Sequence, residues 1–149
     1  MNKICIAASA GGHLTEALQL KEIWKDKDHF FVSDKRINAI TLSKKEKVYF
    51  IMPARRNLFK FTVSFFQSLY IILKENPKVI ISTGAEIGFP PLLIGFILRK
   101  KLIYIETVSR IQPSLTGKLA HYFVKNFYVQ WPQSKKFFPK AKYIGSVFE

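Results

Sequence analysis

At 149 residues the chain has the length of one ordinary domain, long enough to bury a core without disulfides or metals, and a single domain over 1–149 is expected. Its 24 Lys and Arg against 10 Asp and Glu give a net charge of +14, which calls for an anionic partner: nucleic acid, anionic membrane or a phosphorylated substrate. The single cysteine, Cys5, excludes an internal disulfide and fits a cytoplasmic setting.

In chain order, short apolar β-branched runs alternate with longer helical patterns. Strands are expected over 3–8, 29–32, 48–51, 79–82, 102–105 and 127–129, with a weaker one near 143–144. Helices are expected over 14–24, 35–44, 58–74, 91–98 and 115–124. Alternation at this spacing predicts an α/β fold, a Rossmann-like, mostly parallel sheet covered by helices on both faces.

Within that plan the 58–74 helix is unusual. Asn57 is placed to cap it and Asn76-Pro77 to stop it, but Phe59, Phe65, Phe66, Leu69, Tyr70, Ile72 and Leu73 cover more of its circumference than one sheet-facing stripe needs. Something besides the sheet is expected to touch this helix. The first apolar run leads into Gly11-Gly12-His13 rather than a cleavage site, so no secretory signal is read. The longest apolar stretches, 65–73 and 89–98, are interrupted and fall short of the roughly 20 residues a membrane span requires.

In an open parallel sheet, ligands gather beyond the carboxyl ends of the strands. The most distinctive loops fall there: Ser9-Ala10-Gly11-Gly12-His13, Thr83-Gly84-Ala85-Glu86-Ile87-Gly88 and Glu106-Thr107-Val108-Ser109-Arg110. The first is neither a full G-x-G-x-x-G fingerprint nor a P-loop. Gly11 and Gly12 make either a tight turn or a phosphate cradle at a helix N-terminus, and His13 either a structural hydrogen-bonder or a general base. Gly84 opens a second possible cradle, in which Glu86 either accepts a sugar hydroxyl or simply complements the helix dipole. Glu106 ends its strand where an active-site carboxylate would sit; its alternative is an ion pair with Arg110. Ser109 and Arg110 offer a hydroxyl and a cation to a diphosphate. The histidines are scattered without ligand spacing, so no metal site is expected.

The Gly11-Gly12-His13 turn, the Tyr104-Ile105-Glu106-Thr107-Val108-Ser109-Arg110 segment, Leu115-Thr116-Gly117-Lys118 and Tyr128-Val129-Gln130-Trp131-Pro132 together resemble the Alg14-like, or PssD-type, polysaccharide biosynthesis proteins. The resemblance runs from the first strand to Gly145. It implies the N-terminal, acceptor-side half of a GT-B glycosyltransferase, with an Alg13-like (PssE-type) partner chain supplying the UDP-sugar site and the active site lying between the two chains. It further implies inverting transfer onto a polyprenyl-diphosphate-linked acceptor in capsule or exopolysaccharide synthesis, with no cofactor and little activity for this chain alone. His13 is then the first candidate for catalytic base and Glu106 the second. Gly11, Gly12, Gly84, Glu86, Ser109 and Arg110 become candidates for binding substrate or phosphate.

Eukaryotic members of the family it resembles carry an N-terminal membrane anchor, whereas this sequence starts directly at a strand. Peripheral attachment to the inner face of the plasma membrane is expected instead, with Arg55, Arg56, Phe59, Lys60 and Phe66 as contact residues on an anionic surface. The rival readings are a non-catalytic membrane adaptor and a basic nucleic-acid-binding domain. Against the latter, the lysines are dispersed and no DNA- or RNA-reading motif is present, so no nucleic-acid partner is expected.

Overall fold

Strands buried on both faces read as continuous apolar runs rather than alternating ones, and such runs form the sheet here. A computed structural model describes residues 2–149. Its elements are β1 (Ile4–Ala7), α1 (Gly12–Gln19), α2 (Lys21–Trp24), β2 (His29–Ser33), α3 (Ile37–Ser43), β3 (Val48–Phe50) and α4 (Leu58–Glu75). Then follow β4 (Val79–Ser82), α5 (Ala85–Ile97), β5 (Lys101–Ile105), α6 (Leu115–Ala120), β6 (Asn126–Val129), a 3₁₀ turn at Pro132–Lys136 and β7 (Lys142–Tyr143).

The seven strands form one sheet in the order β3-β2-β1-β4-β5-β6-β7, with every neighbouring pair parallel. The chain winds outward from β1 to β3, returns through α4, and winds outward again from β4 to β7. The winding therefore reverses between β1 and β4, the place where doubly wound sheets bind ligands. Alternate strand residues serve the two faces. Cys5, Phe30, Ile80, Leu102 and Tyr104 pack with α4, α5 and α6, while Ile4, Ile6, Phe31 and Ile81 pack with α1, α2 and α3. The expected α/β architecture with helices on both faces is the one observed.

Three helices depart from expectation. The 14–24 pattern is divided at Leu20 into α1 and α2. Helix α6 ends at Ala120, with His121 as its C-cap still donating its backbone N–H to the Gly117 carbonyl, and the His121 ring packs against Phe127 and Phe138, at 5.5 and 5.2 Å between centroids. Helix α5 begins at Ala85, six residues before the expected start, and carries Pro90 and Pro91 inside it. Each interior proline removes a backbone hydrogen bond at a cost of about 3 kcal/mol. Burial offsets that cost: Ile87, Pro90, Pro91, Leu92 and Ile94 all lie in the core.

Asn57 caps α4 by accepting the Lys60 N–H at 3.0 Å, and Asn76 ends it in the left-handed conformation. Its buried side is built from Ser64, Ser68, Ile71, Ile72 and Glu75, and the helix packs chiefly on α5. Several of its large apolar residues turn outward: Phe59, Phe66, Tyr70 and Leu73 are 76, 60, 63 and 59% exposed. No helix among the described residues is long and apolar enough to cross a membrane.

At its carboxyl end α4 is tied to the sheet by Glu75, whose buried carboxylate accepts from Lys3 at 2.8 Å, from Lys47 at 2.5 Å and from the Tyr49 hydroxyl. Burial alone would raise its pKa; the three donors outweigh that and hold it down at about 2.

Candidate functional site

Strands β1 and β4 are neighbours, and each runs into a helix through a glycine with positive φ: Gly11 at 102° and Gly84 at 100°. Only glycine enters that region without strain. The first amide N–H groups of α1 and α5 have no acceptor within their own helices, so two partly positive helix termini open beside each other at the switch point.

A reciprocal clasp joins the two turns. The Thr83 hydroxyl donates to the His13 carbonyl at 2.6 Å, and His13 Nδ1 lies 2.8 Å from the Thr83 carbonyl oxygen. A carbonyl oxygen only accepts, so Nδ1 carries the proton and, in the neutral ring, Nε2 keeps its lone pair. The structural and basic readings of His13 are thus compatible: one nitrogen holds the turn while the other stays available. Ser9 adds a tie, its Oγ accepting the Ile87 N–H at 3.4 Å.

The segment after β2 also wraps the first glycine turn. Asp34 Oδ1 accepts the Ala10 N–H at 2.7 Å, and Arg36 Nη2 donates to the Ala10 carbonyl. Asn38 Oδ1 accepts from Gly11 N at 3.2 Å while its Nδ2 donates to Gly11 O at 3.3 Å. Four consecutive backbone groups are thereby satisfied by side chains. Sequence reasoning did not single out Asp34, Arg36 or Asn38, although the loop following β2 at the same carboxyl edge was the available signal.

A cleft of about 690 Å³ opens beside these turns. Its polar end carries Ser9, His13, Arg36, Glu86 and Ser114; its apolar part is lined by Leu58, Phe61, Phe89, Leu115 and Leu119. Of the expected site residues His13, Glu86 and Arg56 border it, while Gly11, Gly12 and Gly84 shape the turns without lining it. Glu86 accepts the Arg55 N–H at 2.5 Å and so pins the β3–α4 loop, where Arg55 and Arg56 both adopt positive φ. Gly11, Arg36, Ile37 and Asn38 border a second, more open depression of about 430 Å³. Phe59, Lys60 and Phe66 stand on the outer side of α4, away from the cleft lining.

Glu106 lies beneath the cleft wall rather than on it, with only 2% of its surface exposed. Its carboxylate accepts from Ser114 Oγ at 2.7 Å, Ser114 N at 3.2 Å and the Tyr104 hydroxyl at 3.2 Å. Burial, and next the Glu106 charge, push the Tyr104 pKa well above its usual value, so this hydroxyl remains a donor. Ser114 in turn caps α6 and accepts the Gly117 N–H at 2.9 Å. Gly117 is required by the same contact, because a Cβ there would sit 1.9 Å from Glu106 Oε2. Glu106 forms no ion pair with Arg110; Ser109 and Arg110 stand on the exposed loop after β5 and do not border the cleft. Behind Glu106 a second buried carboxylate, Glu16, accepts from Thr107 Oγ1 at 2.8 Å and from Gln130 Nε2 at 2.7 Å. No cluster of three or more His, Cys, Asp or Glu suited to a metal occurs among the described residues.

The doubly wound parallel sheet with its cleft at the switch point has the Rossmann-like fold of the N-terminal half of GT-B proteins. A family model described as "Oligosaccharide biosynthesis protein Alg14 like" matches residues 4–147, and the chain belongs to that Alg14-like family. It is 26% identical over 179 residues to the UDP-N-acetylglucosamine transferase subunit ALG14 of Mus musculus, covering 97% of this chain and 82% of the mouse protein. It is 29% identical over 106 residues to a UDP-N-acetylglucosamine--N-acetylmuramyl-(pentapeptide) pyrophosphoryl-undecaprenol N-acetylglucosamine transferase of Borrelia hermsii, covering 70% of this chain and 29% of that protein. Among solved structures, Acinetobacter baumannii MurG superimposes with a TM-score of 0.80 at 14% identity, covering 98% of this chain and 45% of that one. The chain thus spans less than half the length of the solved structure and less than a third of the Borrelia transferase.

Proposed function

We propose that this chain is the acceptor-binding, membrane-associating subunit of a two-chain inverting glycosyltransferase. An Alg13-like, PssE-type partner holds the UDP-sugar, and the sugar passes to a lipid-diphosphate-linked saccharide of capsule or exopolysaccharide synthesis on the inner face of the plasma membrane. The observation that carries this reading is the amphiphilic cleft, which brings His13, Arg36 and Arg56 together with the apolar side chains of Leu58, Phe61, Phe89, Leu115 and Leu119 beside the N-termini of α1 and α5. An anionic headgroup fits the basic groups and an isoprenoid chain the apolar ones. Family membership and the pyrophosphoryl-undecaprenol named for the Borrelia relative support the same substrate class.

In this reading His13 Nε2 takes the proton from the acceptor hydroxyl as its oxygen attacks the anomeric carbon, and UDP leaves toward the partner half. Glu86 and Ser114 hydrogen-bond the sugar. Glu106 acts through Ser114 as a positioning residue, and Ser109 and Arg110 face the partner side of the site. The outward stripe of α4, with Arg55, Arg56 and Lys60 near its start, rests on the anionic bilayer surface.

The test is transfer to a lipid-linked acceptor by the assembled pair of chains on liposomes. His13→Ala is expected to lower kcat roughly 100-fold or more with assembly intact. Near-normal transfer by that variant would overturn the catalytic role and leave the chain a non-catalytic adaptor.

A further inference from the structure

We propose that Arg36 is the residue that binds the diphosphate of the acceptor, and that Asp34 is its positioning residue. The inference rests on the reading of the cleft as a lipid-diphosphate site and deepens it. A guanidinium offers five N–H donors in a rigid plane that matches two phosphate oxygens at once. In Arg36 the Nε–H donates to Asp34 Oδ2 at 2.7 Å and Nη2 donates to the Ala10 carbonyl. Nη1 has no acceptor among the described residues.

Asp34 is buried, and its other oxygen is taken by the Ala10 N–H, so one carboxylate fixes the guanidinium and the glycine turn as a single unit. Arg36 itself is half exposed and borders both the cleft and the neighbouring depression. The guanidinium lies against Gly11, where a Cβ would rest in van der Waals contact with it, 3.8 Å from both Nη1 and Nη2. An anion at this point meets a preorganised guanidinium together with the first N–H groups of α1. Elsewhere, Lys3, Lys25, His29 and Lys47 engage their acidic partners away from the cleft, and Arg56, which does border it, has no carboxylate to orient it.

The experiment compares binding of farnesyl diphosphate and farnesyl monophosphate to the full chain by calorimetry, so that tail contacts cancel in the ratio. The wild-type protein is expected to prefer the diphosphate by about tenfold or more, and Arg36→Gln to erase that preference while monophosphate binding persists. Arg36→Lys, which keeps charge and stem but not the planar fork, should retain only part of the ratio and decides the matter if the glutamine variant fails to fold. Asp34→Asn should cut the ratio severalfold; an unchanged ratio removes its positioning role. If the wild-type chain binds neither compound, the lipid-diphosphate reading of the cleft falls and this inference with it. If the wild-type preference is present and Arg36→Gln preserves it, the Arg36 assignment alone is overturned.

Discussion

Glu106 directly follows β5 and His13 lies in the first turn of α1, both at the carboxyl side of the sheet, and their surroundings give them different work. His13 uses one nitrogen on the Thr83 carbonyl and keeps the other free at the cleft. Glu106 has its oxygens committed to Ser114 and Tyr104 under the wall. A helix-interior glycine changed to alanine ordinarily gains up to about 1 kcal/mol. At Gly117 the sign reverses, because the new Cβ would collide with Glu106 Oε2. Gly117→Ala is therefore expected to cost roughly 2–3 kcal/mol in chemical denaturation, with His13→Ala staying within about 1 kcal/mol of wild type. Equal losses for the two variants would contradict this division. Glu106 was visible in the sequence as an acid closing an apolar strand, but its downward orientation depends on how closely Gly117 approaches, which spacing does not encode. Arg36 was hidden for a related reason: it meets Ala10 only because β2 pairs alongside β1.

Among the elements, α4 departs from the usual amphipathic helix by burying Ser64 and Ser68 beside Ile71 and Ile72 while Phe59, Phe66, Tyr70 and Leu73 stand outward. The excess of apolar circumference was legible in the sequence, as were both asparagine caps, because these are local features. The start of α5 was not legible. A rule that keeps proline near helix starts loses to burial between the sheet, α4 and α6, which is a tertiary property. Because Phe66 stands clear of the core, Phe66→Glu should leave the melting temperature within a few degrees of wild type. The same change is expected to reduce co-sedimentation with anionic liposomes severalfold. Unchanged liposome binding would remove the α4 stripe from the membrane contact.

At the scale of the whole molecule, the parallel sheet and its two helical layers followed from the alternation of apolar runs with helical patterns, because each run is a strand covered on both faces. The position of the cleft depended on the strand order, since only the pairing of β1 with β4 brings Gly11 beside Gly84. The opposite edge of the sheet is held by Glu75 with Lys3 and Lys47. Its pKa is lowered to about 2 in the folded protein against an ordinary value near 4.5, so its contribution is complete above about pH 4.5 and drains away as the pH falls toward 2. Glu75→Gln should lower stability at neutral pH by roughly 2 kcal/mol and flatten the acid limb of the stability profile over that interval. A profile that keeps its slope would place the acid sensitivity elsewhere. The clasp between His13 and Thr83 also bears on synthesis, for it joins residues 70 positions apart. β1 is made before β4, so one of its edges stays open until Val79–Ser82 arrives, and until Thr83 follows His13 has no carbonyl to set its tautomer. The cleft is therefore completed only once β4 and α5 have followed β3, whereas the wrap of Asp34, Arg36 and Asn38 around Ala10 and Gly11 needs nothing beyond α3.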